Sequence, residues 1–266
     1  MGTLRAAAGL GLAGAVLVGC GGGSGPSAAA PSTAAAASPA GSPSGPGPAA
    51  PATAVPTAVP TGTDSAEAAK LAAAGVLRRA DLPGFAAKPQ TDDAADDEEK
   101  RTFLKCAGIA PPDYVLRDFG TAFTQGTLEI DSAADVVASD AEAVAAANAL
   151  ATDKAANCWK ATKHQIEKTP KVTVTKLSTT LAPFTVKGAD GGAVYHVVVD
   201  FTGPAGKSSA DAYVVKFAIG STELTLAGTR TGGAASLDQL TTLADVLAGR
   251  VRKAIALLTS TAGPTD

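Results

Sequence analysis

Residues 64–266 are predicted to fold as an α+β domain, an antiparallel sheet packed by helices, behind a signal peptide and a disordered Ala/Pro/Ser/Gly-rich tether. Two observations predict the fold class. First, residues 194–201, 212–219 and 222–228 are β-branched and aromatic with partial alternation, and turn signals separate them, as in an antiparallel meander. Second, after Ser236 the apolar residues Leu237, Leu240, Leu243, Leu247, Val251 and Ile255 recur at three- and four-residue spacings, a wide stripe that one helix buries against a sheet.

The first 19 residues have the three parts of a secretory signal. Arg5 and the amino terminus supply positive charge, residues 6–18 are uncharged and apolar, and the small residue Gly19 precedes Cys20. A membrane-spanning helix needs about 20 apolar residues, and this run is shorter and rich in glycine. The G-x-G-x-x-G spelled by residues 9–14 lacks the strand and βαβ unit a dinucleotide fingerprint requires. Leu17-Val18-Gly19-Cys20 resembles the lipobox of bacterial lipoproteins. That resemblance implies cleavage before Cys20, a diacylglyceryl group on its sulfur, and a further fatty-acyl chain such as palmitate on the new amino terminus. Two or more acyl chains anchor stably, which would place the chain on the extracytoplasmic face of the cell membrane. An ordinary secretory signal with a chance cysteine is the alternative.

Residues 20–63 carry no charge and consist almost wholly of Ala, Pro, Ser, Gly and Thr. Such a composition buries too little apolar surface to offset ordering entropy. Where extended at roughly 3 Å per residue, the tether reaches up to about 100 Å. The spacer role is favoured over recognition.

In the folded part, residues 65–79 read as a helix with Arg78 and Arg79 in its last turn, broken by the Pro83-Gly84 step. A second helix starts within residues 93–99 and runs to Cys106. Residues 119–124 and 127–138 form a hairpin about Gln125-Gly126. Asp140 caps a helix to about Ala156, and a shorter one runs from Cys158 toward Glu167. Val172, Val174 and Leu177 open the strand-rich half, and Ser236 caps the closing helix.

Of three cysteines, Cys106 and Cys158 remain once Cys20 is assigned to the anchor, an even pair in a chain bound for an oxidising compartment. A disulfide between them is expected, with two buried thiols or a redox pair as alternatives. The lack of a C-x-x-C spacing speaks against redox chemistry.

The helix ending in Leu77-Arg78-Arg79-Ala80-Asp81-Leu82-Pro83-Gly84-Phe85 opens a recognisable order of motifs. The Cys106 region, Phe123-Thr124-Gln125-Gly126, Cys158-Trp159 and Ala210-Asp211-Ala212-Tyr213-Val214-Val215 follow it. Together these resemble the exported sensor-type domains of actinobacteria, similar to the extracellular domain of PknH-type receptor kinases, over about residues 66–258. The resemblance implies an extracytoplasmic domain with a ligand cleft. One candidate bridge stands here where the kinase domain has two.

Chemistry-bearing residues are sparse. His164 and His196 are the only histidines, and no H-x-x-x-H, H-E-x-x-H, H-x-H or G-x-S-x-G occurs. The acidic run from Asp92 to Glu99 lacks EF-hand spacing and reads as a solvated helix start. Glu129 and Asp131 share one strand face by period two, a spacing too common to indicate a glycosidase pair. Trp159 reads as core packing on the bridge, or as one wall of a cleft. Tyr195 and Tyr213 are further ligand-binding candidates. With 22 Lys+Arg against 25 Asp+Glu and no basic stripe, nucleic acid is not an expected partner.

The expected function is a lipid-anchored, non-enzymatic protein with a sensor-like or ligand-binding domain. An envelope interaction or scaffold lipoprotein is the alternative, and a cell-envelope hydrolase a third. No catalytic residue, metal or cofactor is assigned. The expected partners are the membrane, through the anchor, and an unidentified small molecule, envelope component or protein.

Overall fold

The computed structural model describes residues 65–90, 94–162 and 171–261. The signal, Cys20, the tether, Asp92, Asp93, His164 and the stretch toward Glu167 lie outside them. The expected α+β class is what the chain adopts. The strands are β1 (Ala86–Pro89), β2 (Tyr114–Phe119), β3 (Thr121–Gln125), β4 (Leu128–Val137), β5 (Thr173–Ala182), β6 (Gly191–Gly203), β7 (Gly206–Ile219) and β8 (Thr222–Thr231). The helices are α1 (Ser65–Gly75), α2 (Ala94–Ala107), α3 (Asp140–Ala149), α4 (Asp153–Cys158) and α5 (Leu237–Thr261). Short 3-10 turns occupy Arg79–Asp81 and Trp159–Thr162.

All eight strands join one antiparallel sheet in the order β1-β3-β4-β8-β7-β6-β5, with β2 paired to the end of β4. The meander expected from residues 194–228 is its centre, formed by β6, β7 and β8. The β6–β7 turn closes over Pro204-Ala205, with Gly206 at φ 102°, a conformation that favours glycine.

Side chains alternate between faces along each strand, so β4 divides sharply. Ile130, Ala134 and Val136 enter one core with Leu71 of α1 and Leu247 of α5. Asp131, Ala133 and Asp135 point to the opposite face. That second face carries Tyr195, Val197 and Val214 under Phe103 of α2 and Trp159. The sheet is thus a middle layer between α1 with α5 and α2 with α3 and α4.

Helix α1 stops at Gly75, short of the expected Arg79. Here the helix lies directly on the sheet, and a Cβ on Gly75 would collide with Leu224 and stand 2.8 Å from Ala134 Cβ. Beyond it, Leu77 N donates to the buried Ser132 Oγ at 2.8 Å. Arg250 of α5 donates to Val76 O and Asp81 Oδ2 at 3.0 and 2.9 Å, holding α5 to this corner. The single helix expected over 140–156 is two. Ser139, not Asp140, caps the first through Glu142 N at 3.3 Å, and Thr152 caps the second through Ala155 N at 3.2 Å. A hydroxyl that satisfies a helix's first free N–H groups restarts the helix there.

Candidate functional site

The disulfide between Cys106 and Cys158 ties the end of α2 to the end of α4, with Cα atoms 5.6 Å apart. Trp159 follows it, fully buried, with its ring centroid 5.4 Å from Phe103 and 5.7 Å from Tyr195. The Tyr195 hydroxyl donates to Leu150 O, and burial raises its pKa. Trp159 and Tyr195 therefore form the packed layer behind α2. Phe103, their neighbour, has one side on this layer and lines a cleft with the other.

The cleft lies on the second face of the sheet, between α2, α3 and the strands β4, β7 and β8. The empty space in it, open solvent in front of it included, is about 540 Å³. One wall is apolar, with Phe103 and Leu104 from α2, Ile109 and Pro112 from the connection after it, and Ala146 and Leu150 from α3. The floor is charged, with Lys100, Asp135, Lys216, Glu223 and Thr225.

Strand register assembles the floor from β4, β7 and β8, with Arg117 of β2 beside it, and Lys100 reaches in from α2. Arg117 pairs with Asp135 across β2–β4, Asp135 with Glu223 across β4–β8, and Thr225 with Lys216 across β8–β7. Asp135 is clamped at both oxygens, by Lys100 Nζ on Oδ2 at 2.8 Å and Arg117 Nε on Oδ1 at 3.0 Å. Burial works to raise the Asp135 pKa, but the two cations outweigh it and hold it below the ordinary aspartate range. Lys100 and Arg117 also lie 4.2 and 5.0 Å from the Tyr114 ring centroid, in cation–π geometry.

Glu223 and Lys216 are poised differently. Burial pushes Glu223 up to about 7, against the pull of Lys100. Burial, helped by the Lys100 charge, brings Lys216 down to about 8. Lys216 Nζ donates to Thr225 Oγ1 at 3.2 Å. Glu223 Oε1 is buried and has no hydrogen-bond partner among the described residues. A buried acceptor left unmade costs about 1–3 kcal/mol.

The pair Glu129 and Asp131 does share this face but lies outside the cleft. Burial raises Asp131 well above its ordinary value, and neighbouring Glu129 adds to the rise. Glu129 itself is raised by burial against the pull of Lys88. His196 occupies the other face of the sheet, where Nε2 is 2.9 Å from Asp211 Oδ2 and the ring stacks on Tyr213 at 4.4 Å. Asp211 Oδ1 also accepts from Ala235 N at 3.0 Å, so this group fastens the segment before α5 to the sheet. Tyr213 thus stands apart from the cleft. No group of three or more metal-ligating side chains occurs among the described residues.

Sequence reasoning missed the cleft's charged floor. The available signal was charge at inward positions of otherwise apolar strands: Asp135 in β4, Lys216 in β7 and Glu223 in β8.

No family model matches the chain, and no curated protein does. Among solved structures, it is similar to the extracellular domain of PknH from Mycobacterium tuberculosis. The TM-score is 0.39 and the identity 10%, over 72% of this chain and 98% of that one.

Proposed function

We propose that this chain is a lipid-anchored extracytoplasmic protein whose folded domain holds a ligand in the cleft between α2, α3 and the sheet, without transforming it. One observation carries the reading: an open cleft with an apolar wall and a charged floor. Binding sites have this composition, mostly apolar with a few placed polar groups. The lipobox-like Leu17-Val18-Gly19-Cys20 and the Cys106–Cys158 bridge support the location. His196 lies on the opposite face of the sheet from the cleft, hydrogen-bonded to Asp211.

Native mass spectrometry of the full chain, exported in its own envelope and gently purified, tests this reading. The expected result is a discrete added mass that disappears on denaturation and is missing from Ala146→Phe, which fills the cleft from its wall. A clean apo mass, or a mass that Ala146→Phe retains, overturns it and directs the search to protein partners by crosslinking.

A further inference from the structure

We infer that Glu223 is a pH-sensitive element of the fold: it keeps a proton in the folded domain in mild acid and gives it up toward neutral pH, so the domain is firmer in mild acid than at pH 8. It acts with or without a ligand in the cleft.

Strand register isolates this carboxyl from counter-charge. Across β4–β8 its direct neighbour is Asp135, and across β7–β8 it is Ala218. One side offers a like charge and the other a methyl group. Side chains directly opposite have Cβ atoms about 4.5–5.5 Å apart, and like charges so placed repel. The two cations beside the pair are committed to Asp135, Lys100 Nζ at its Oδ2 and Arg117 Nε at its Oδ1. Lys216 of β7 sits on the diagonal, opposite Thr225, and its Nζ donates to Thr225 Oγ1. Helix α3 contributes Glu142, a further negative charge. Glu223 Oε1 is buried and takes no hydrogen bond among the described residues. Where two carboxyls share a site and cations clamp one of them, the other favours its neutral form.

The electrostatic balance agrees. Burial is the largest influence and lifts Glu223 to about 7; Asp135 and Glu142 add to the rise, and Lys100 and Lys216 oppose it. An unfolded glutamate titrates at about 4.3. The folded chain therefore holds a proton that the unfolded chain has lost between those values. The stability this contributes is fully present below the unfolded value and is lost as pH rises through about 7. Lys216, brought down to about 8 chiefly by burial, acts in the opposite sense, adding stability only as pH rises beyond that value. The two groups together place a trough in stability between them.

Urea unfolding of the full chain at about pH 5 and about pH 8 is the test. Trp159 reports it, being the sole tryptophan and fully buried against Phe103. Glu223→Gln has the shape of the protonated acid and cannot titrate. Between the two pH values the folding constant of the parent is expected to fall by about tenfold or more beyond any fall in Glu223→Gln. At pH 8 the variant is expected to be the more stable chain. A smaller difference, or a variant less stable than the parent at pH 8, overturns the inference. Carboxyl-carbon NMR titration of the unaltered chain decides the matter even if Glu223→Gln fails to fold. A Glu223 midpoint between about pH 6 and 8 is expected, and one near the ordinary value of about 4.3 overturns the inference.

Discussion

Two aspartates on one face of β4 respond to pH in opposite senses. Asp135, held low by Lys100 and Arg117, contributes stability above its unfolded pKa and loses it as pH falls through its lower folded value. Asp131, raised by burial, does the reverse. Its penalty is absent below the unfolded pKa and grows as pH rises toward the folded value. Asp135→Asn is therefore expected to destabilise at about pH 7, by roughly 3 kcal/mol, because it leaves two partly buried cations short of a counter-charge. That deficit shrinks only as the pH falls below about 4, toward 3. Asp131→Asn is expected to be at least as stable as the parent at about pH 7, with its advantage fading on acidification. Urea midpoints of both variants at the two pH values check the signs. A deficit for Asp131→Asn at neutral pH would mean that its carboxylate is the stabilising form.

At the scale of elements, α2 is the wall of the cleft that depends most on a covalent tie. It packs chiefly on α4 and the 3-10 turn at Trp159, and the bridge joins residues 52 apart in sequence. Cys106→Ala with Cys158→Ala is expected to lower stability by about 2–5 kcal/mol in thermal unfolding. The same fall should follow reduction of the parent, whereas an unchanged midpoint would assign α2 to packing alone. Legibility varied by element for physical reasons. The β6–β7–β8 meander and α5 announce themselves because β-branched runs and a long apolar stripe each have one regular period. Strand β1, Ala-Ala-Lys-Pro, has none and is paired only because β3 lies beside it. Strand β2 follows Pro111-Pro112 and mixes Arg117 and Asp118 into its apolar positions, so its partner β4 defines it. The break between α3 and α4 is hidden in an alanine-rich stretch, where Thr152 is the one residue that marks it. The cleft floor was least legible. Lys100, Arg117, Asp135 and the Lys216–Glu223 hairpin carry ordinary charges in separate parts of the chain, and only strand register and the packing of α2 gather them.

For the whole molecule, no helix among the described residues is long and apolar enough to cross a membrane. Retention at the membrane is then the work of Cys20 in the proposed function. Cys20→Ala is expected to release the chain into the medium or leave it unprocessed, read by fractionation and intact mass. A processed chain still bound to membranes would assign retention to another contact. The cleft and Cys20 are separate in the chain, so under the proposed function the same variant should keep the added mass in native mass spectrometry.

The bridge that hangs α2 in place also gives the protein a sense of where it is. Thiols persist in a reducing compartment and pair in an oxidising one, so the cleft acquires its finished wall only after Cys106 and Cys158 have met an oxidant. In a copy whose two cysteines are still reduced, α2 lacks its covalent tie to α4.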